Sequence, residues 1–128
     1  MTTPYRVLVT GSRDWDAHGV VRRALDEALA AAPYGRPVVI VHGDCPTGAD
    51  LVAKVWATTW CGDERVTEEP HPAAWHLHGR TAGPKRNAAM VSRGADVCLA
   101  FIKGGSRGAT HTADLAEKAG IPTRRWTA

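Results

Sequence analysis

The sequence lacks an apolar run long enough to cross a lipid bilayer, which takes about 20 residues. Its first residues, MTTPYRVLVTGSRDW, also lack the basic start and long apolar core of a signal peptide. No two of the three cysteines, Cys45, Cys61 and Cys98, form a CxxC pair, so we expect reduced thiols. These absences predict a cytoplasmic protein that has no membrane partner.

The sequence also lacks a large excess of positive or negative charge. It has 16 lysines and arginines and 13 aspartates and glutamates, which gives a net charge of only +3. The basic residues are scattered, with no run of five or six like charges. This balance suits an anionic small molecule and does not by itself predict nucleic acid as a partner. A length of 128 residues and a hydrophobic content of 44% are typical of one globular domain, here residues 1–128.

The familiar fingerprints of nucleotide enzymes are missing as well. No GxGxxG follows the first strand-like segment, and neither GxxxxGKS nor GxxxxGKT occurs, which disfavours a standard dinucleotide dehydrogenase or P-loop NTPase. The spacing of His71, His76, His78 and Cys61 matches no standard zinc site, so we predict no metal and no other cofactor. A Ser/His/Asp or Cys/His catalytic set stays an open alternative.

What the sequence does contain is a regular alternation of strand-like and helix-like segments. Apolar and β-branched runs predict strands at 5–10, 37–42, 65–69, 96–102 and 123–126, and helical spacing predicts helices at 16–32, 47–60, 83–93 and 108–119. Residues 70–82 are predicted to form a long loop. Such alternation favours right-handed βαβ crossovers and a parallel sheet covered on both faces. We therefore expect a Rossmann-like three-layer α/β/α sandwich with five strands in the order 3-2-1-4-5.

Three loops rich in glycine follow the first, second and fourth predicted strands. They read GSRDWD (11–16), HGDCPTGAD (42–50) and KGGSRGAT (103–110). In the expected topology all three meet at the carboxyl edge of the sheet, next to the switch point between the first and fourth strands. Glycine lets a ligand approach the backbone, and a helix N-terminus attracts anions. The second and third loops, which lead into helices, therefore predict phosphate contacts, although any one such loop could be a plain connector.

Charged residues accompany these loops. Arg13 could hold a phosphate or carboxylate in two-point contact, or it could pair with Asp14 or Asp16. Arg86 and Asn87 lie in the first turns of a predicted helix, where a cation opposes the helix dipole unless an anion is bound. We count Arg13, Arg86 and Asn87 as candidate ligand contacts.

Asp50 and the tryptophans leave alternatives open. Asp50, at the start of a predicted helix, could cap that helix or accept a ribose hydroxyl. Trp75, in the predicted loop, could cover a base or pack against the domain. Trp15 is assigned to packing, and Trp56 and Trp60 to the core, because both of the latter lie on a predicted helix.

Four blocks, GSRDW, HGDCPTGAD, PAAWHLHGRTAGPKRNAAM and AFIKGGSRGATHTADLA, together resemble the YspA-like, YpsA-related branch of the SLOG superfamily over residues 6–122. The resemblance implies a Rossmann-like fold shared with LOG phosphoribohydrolases and DprA proteins. It also implies a site for a nucleotide or nucleotide-derived ligand, such as an ADP-ribose- or NAD-related molecule, and it allows a homodimer. The implied site residues are Gly11, Ser12, Arg13, Gly43, Gly48, Ala49, Asp50, Arg86, Asn87, Gly104, Gly105, Ser106, Gly108 and Thr110. Asp44 and Trp75 join the predicted set because of their place in the loops.

Three functions remain in competition at this point. The favoured one is a binding protein that senses or sequesters the ligand. The second is an enzyme, either a LOG-like phosphoribohydrolase of nucleoside monophosphates or another nucleotide hydrolase. The PGGxGTxxE loop of LOG enzymes is replaced here by GGSRGATHTAD, which has no glutamate at the matching place. The catalytic candidates would then be Asp50 and Asp114. The third is a DprA-like DNA-binding module, which needs more basic surface than a net charge of +3 indicates.

Overall fold

Five parallel strands form the centre of the molecule in the computed structural model, which describes residues 3–128. The strands are β1 (Tyr5–Gly11), β2 (Val38–His42), β3 (Val66–Pro70), β4 (Val97–Ile102) and β5 (Thr123–Thr127). Their order in the sheet is β3-β2-β1-β4-β5, and every neighbouring pair is parallel. In the register of the sheet, Val7 of β1 lies between Ile40 and Val97. The predicted α/β Rossmann-like architecture and strand order are confirmed.

Helices join the strands and cover both faces of the sheet. They are α1 (His18–Ala31), α2 (Gly48–Val55), α3 (Trp75–His78), α4 (Ala82–Ser92) and α5 (Arg107–Lys118). A π-helical turn, Trp56–Trp60, continues α2, and a 3₁₀ turn, Gly79–Thr81, joins α3 to α4. The prediction of a plain loop over 70–82 was wrong in part, because two single turns lie within it. Such short turns show no apolar period of their own, so the sequence pattern does not reveal them.

The core consists of two layers, one on each face of the sheet. Val7 and Val9 of β1 pack with residues of α1 and α2, whereas Leu8 packs with residues of α4 and α5. Successive side chains of a strand point to opposite faces, so a strand segment covered on both faces needs apolar or small residues throughout, as in residues 7–10 of β1 and in all of β4. This is why the central strands appear in the sequence as unbroken apolar runs. Among residues 3–128, no helix is long and apolar enough to span a membrane.

The tryptophans divide between the core and the surface. Trp15 and Trp56 are buried as predicted, and Trp15 contacts Phe101 edge to face. The prediction that Trp60 lies in the core was wrong: it is 52% exposed, and the guanidinium of Arg22 lies 5.0 Å from its ring. Trp60 is the last residue of the π-helical turn and follows the exposed Thr58 and Thr59, so the end of this helix lies outside the core.

An ion pair on the α4 face ties distant parts of the sheet together. Arg6 of β1 donates two hydrogen bonds, of 3.0 and 2.9 Å, to the carboxylate of Glu69 of β3. These bonds from Arg6 are the main reason that the pKa of Glu69 falls to about 2. His71 and Arg93 also approach the same carboxylate, at 2.7 and 3.5 Å. Glu69 is therefore a partly exposed carboxylate whose charged form is favoured by the folded state.

Candidate functional site

A cavity of about 710 Å³ opens at the carboxyl ends of the central strands. Its walls come from the end of β1 and its loop, the β2–α2 loop, α3, α4 and the N-terminus of α5. This is the edge of the sheet where the strand order reverses between β1 and β4, the place where ligands bind in open α/β sheets.

The fold brings nine of the predicted site residues together at this cavity. They are Gly11, Arg13, Gly43, Asp50, Trp75, Arg86, Asn87, Ser106 and Gly108. Seven others do not line it: Ser12, Asp44, Gly48, Ala49, Gly104, Gly105 and Thr110. Several lining residues were not predicted, among them Thr10, Cys45, Met90, Arg107 and His111. Arg107 and His111 are one helical turn apart beside Gly108, so helical spacing could have indicated them.

The N-terminus of α2 is closed by the chain itself. Gly48 has a φ of +71°, and a Cβ there would collide with the carbonyl oxygens of Ser12 and Arg13. A Cβ on Gly11 would collide with the side chain of Ala49. These glycines let α2 pack directly against the end of β1 and its loop. The structure therefore explains Gly48 by packing and adds no support for a ligand phosphate at this helix.

Asp50 lies in the first turn of α2 and faces the cavity although it is only 5% exposed. Its Oδ2 accepts a hydrogen bond of 3.3 Å from the backbone N–H of Cys45. Burial raises the pKa of the Asp50 carboxyl, and hydrogen bonds from Cys45 and the charge of Arg86 oppose that rise. Burial, followed by the neighbouring Asp50 carboxylate, raises the pKa of the Cys45 thiol, so Cys45 is a poor nucleophile.

Arg86 is held in place by the chain beside Asp50. Its guanidinium donates hydrogen bonds to the carbonyl oxygens of Gly43 and His71, and its Nε donates to Asn87 Oδ1 at 2.7 Å. A Cβ on Gly43 would stand 2.5 Å from Arg86 Nη1 and 2.9 Å from Asp50 Oδ2. The absence of a side chain at Gly43 thus leaves room for the guanidinium and the carboxylate.

Ser12 and Asp44 form contacts that hold the loops around the cavity. The Oγ of Ser12 accepts a hydrogen bond of 2.8 Å from the backbone N–H of Lys103, which joins the β1 and β4 loops. Asp44 has a φ of +55°, its backbone N–H donates to His42 Nδ1, and its carboxylate pairs with Lys54 at 3.2 Å. Both residues keep the loops in position without lining the cavity.

The N-terminus of α5 is open where that of α2 is closed. A Cβ on Gly108 would meet no atom within 4 Å, and Gly108 has no positive φ. Ser106 stands at the N-cap position without a capping hydrogen bond from its side chain. Gly104 and Gly105 form the tight turn before it, with φ values of +59° and +66°. The first N–H groups of a helix have no partner within the helix, so this end can accept an anion.

Arg13 and Trp75 form the outer wall of the cavity. The guanidinium of Arg13 lies 5.5 Å from the centre of the Trp75 ring, and within residues 3–128 it forms no ion pair with a carboxylate. Asp16 pairs instead with Lys103, at 3.3 Å. Trp75 is 48% exposed, and its ring covers Gly83 of α4. The charge of Arg13 and one face of an aromatic ring are therefore both available to a ligand.

Asp114, the second catalytic candidate, lies outside the cavity. It points along α5 towards β5 and pairs with Arg125 at 2.8 Å. Across residues 3–128, no three histidine, cysteine, aspartate or glutamate side chains come together closely enough to hold a metal ion. Of the two carboxylates considered for catalysis, Asp50 alone faces the cavity.

Comparison with known proteins agrees with this architecture. The family model described as "YspA, cpYpsA-related SLOG family" matches residues 5–78, which is more than half of the chain. The chain is 48% identical over 120 residues to the Gene 61 protein of Mycobacterium phage D29, covering 91% of this chain and 92% of the phage protein. No solved structure gave a significant match. The chain belongs to the YspA, cpYpsA-related SLOG family.

Proposed function

We propose that the protein binds a nucleotide or nucleotide-derived ligand, such as an ADP-ribose- or NAD-related molecule, and that it senses or sequesters this ligand. One observation carries the proposal: a single cavity joins an open helix N-terminus, the charge of Arg13 and the exposed ring of Trp75. A volume of about 710 Å³ falls within the usual range for small-molecule sites, about 300–1,000 Å³. Membership of the SLOG family supports a nucleotide-related ligand.

The phosphate is assigned to the N-terminus of α5. Ser106, Arg107 and Gly108 line the cavity there, and the helix dipole adds a partial positive charge. The first turn of α5 contains no acidic residue, whereas that of α2 contains the carboxylate of Asp50. An anion is therefore favoured at α5 and disfavoured at α2.

Arg13 is assigned to neutralise the phosphate. It lines the cavity, and its fork of N–H donors suits two-point contact with phosphate oxygens. Arg86 contributes its positive charge, but its donors already bind backbone and Asn87 oxygens. The two arginines thus have different roles. Arg13 contacts the ligand, and Arg86 keeps the cavity wall in position.

The base is assigned to the face of Trp75. Stacking of a base on an aromatic side chain contributes about 1–3 kcal/mol and tolerates different bases. Because Arg13 lies over the same ring, a bound base would contact Trp75 on one side and the guanidinium at its edge or opposite face.

A thermal-shift screen of the purified protein tests the proposal. The ligands are AMP, ADP, ATP, cyclic nucleotides, NAD and ADP-ribose, and each mixture is then examined by mass spectrometry. A ligand that binds only the folded state raises the melting temperature at saturating concentration. A shift with the ligand intact supports a binding protein. No shift with any ligand contradicts the assigned phosphate site.

A second candidate, hydrolysis of the N-glycosidic bond of a nucleoside monophosphate, is favoured by one observation. Asp50 is a buried carboxyl with a raised pKa in the cavity wall, a property common among catalytic acids and bases. Release of free base from AMP, lost in Asp50→Asn, would support this reaction. Recovery of intact AMP after long incubation with folded protein would exclude it for that substrate.

A further inference from the structure

We propose that this cavity selects ribonucleotides over 2′-deoxyribonucleotides, because Asp50 and Asn87 together form a recognition point for the two vicinal hydroxyls of ribose. The inference rests on the proposed nucleotide function of the same cavity. It concerns a wall of the cavity distinct from the α5 phosphate site and from Trp75.

Asp50 supplies the hydrogen-bond acceptor. Its side chain lines the cavity although the residue is only 5% exposed. Within residues 3–128, its hydrogen-bond donor is the backbone N–H of Cys45. A carboxylate has two oxygens and about four acceptor positions, so this bond leaves acceptor capacity for a ligand. A ligand hydroxyl can use it without displacing the Cys45 contact.

Asn87 supplies the hydrogen-bond donor. It lines the cavity and is also 5% exposed. Arg86 Nε can only donate, and its partner at 2.7 Å is Asn87 Oδ1. This bond orients the amide, because the oxygen must face Arg86 and the NH₂ group is then the one left for a ligand. The wall therefore offers one acceptor and one donor, which match a hydroxyl that donates and a hydroxyl that accepts.

The neighbouring charge favours hydroxyls over amines. Asp50 Oδ2 and Arg86 Nη1 would lie 2.9 and 2.5 Å from a Cβ on Gly43, so the carboxylate and the guanidinium flank the same small space. A ligand ammonium at Asp50 would meet the positive charge of Arg86. A neutral donor avoids that repulsion, and a cis-diol supplies two adjacent hydroxyls, one to donate to Asp50 and one to accept from Asn87.

Burial makes the selection measurable. A ligand without the 2′-hydroxyl leaves one of these buried polar groups without a partner, and a site built to bind a hydroxyl discriminates strongly against the analogue that lacks it. We expect a ribonucleotide to bind at least tenfold more tightly than its 2′-deoxy form.

Calorimetric titration of the wild-type protein tests this. The probes are the 5′-diphosphates of adenosine, guanosine, cytidine and uridine, each compared with its 2′-deoxy form. A tenfold or larger preference for a ribo form supports the inference. Equal affinity for the ribo and deoxy forms of a diphosphate that binds overturns it and leaves the proposed function standing. Absence of binding by all eight overturns the inference, and the thermal-shift screen with AMP, NAD and ADP-ribose then decides whether the proposed function stands.

Variants then assign the preference to its residues. Asp50→Asn and Asn87→Ala should each reduce the ribo-to-deoxy ratio to less than threefold. Asp63→Asn should keep the wild-type ratio, because Asp63 is a partly exposed loop residue that pairs with Arg65 and does not line the cavity. A full ratio in a folded Asp50→Asn protein overturns the assignment to Asp50. If Asp50→Asn does not fold, the wild-type titration and Asn87→Ala still decide the matter.

Discussion

Replacement of Gly108 by alanine should raise the stability of the fold and lower its affinity for the ligand. In the first turn of α5, a Cβ at residue 108 meets no atom within 4 Å, and the backbone has no positive φ. Alanine is favoured over glycine within a helix by about 0.5–1 kcal/mol. For a domain of this size, that corresponds to a rise of about 2–6 °C in melting temperature.

The same methyl group occupies the space in which a phosphate would approach the backbone N–H groups of α5. A group forced into a filled space costs about 1–3 kcal/mol. A cost of this size weakens the affinity for ADP, or for the tightest nucleotide of the screen, about 5- to 150-fold. Thermal unfolding without ligand and calorimetric titration with it measure the two effects on one protein.

Gly19→Ala is the matched control for this experiment. Gly19 is also an exposed second residue of a helix, α1, and a Cβ there also meets nothing within 4 Å. Its substitution should raise the melting temperature by a similar amount and leave the affinity unchanged. If the Gly108→Ala protein is stabilised and binds the nucleotide as tightly as the wild type does, the phosphate site at α5 is refuted.

Three further predictions concern Arg13, Gly48 and Glu69. Arg13→Ala should weaken nucleotide binding by about tenfold or more, since it removes a charge-assisted contact of about 1.5–3 kcal/mol. Arg22→Ala is the control, because the Arg22 guanidinium lies over Trp60, away from the cavity. Equal affinities of Arg13→Ala and the wild type by calorimetry would contradict the role of Arg13. Gly48→Ala should destabilise the protein by about 2 kcal/mol or more in denaturant unfolding, because it combines a left-handed φ with a backbone collision, and an unchanged midpoint would contradict the close packing of α2. Glu69→Gln should lower the free energy of unfolding at pH 7 by about 1 kcal/mol, a modest effect since the carboxylate is partly solvated. Because the folded pKa of Glu69 is depressed to about 2 from 4.5, the wild-type advantage is present above pH 4.5 and disappears as the pH falls towards 2; an advantage that persists at pH 2 would refute this account.

The order of the elements could be predicted from local patterns, because strands buried on both faces appear in the sequence as continuous apolar runs. The runs around Ile40 and Leu99 are apolar at every position, and the structure places both at the centre of the sheet. The short turns at 75–81 and the exposure of Trp60 could not be predicted in the same way. The turns are too short to show an apolar period, and Trp60 lies at the end of its helix, where burial depends on how far the rest of the fold extends.

The site could be predicted as a region but not in its division of roles. Gly48 and Gly108 look alike in the sequence, since each follows a buried strand and stands at the start of a helix. The carbonyl oxygens of Ser12 and Arg13 close the space beside Gly48, whereas no atom fills the space beside Gly108. Asp50 and Asp114 were both candidates, and the fold directs one into the cavity and the other towards Arg125.

The sequence by itself therefore determined the alternation of strands and helices, the buried central strands and the edge of the sheet where the glycine-rich loops meet. These follow from interactions between neighbours in the chain and from which side chains avoid water. Only the tertiary structure decided which glycine is open and which carboxylate faces the cavity. Both answers depend on atoms from distant segments, such as the contact of Gly48 with the β1 loop, and a linear pattern does not contain such distances.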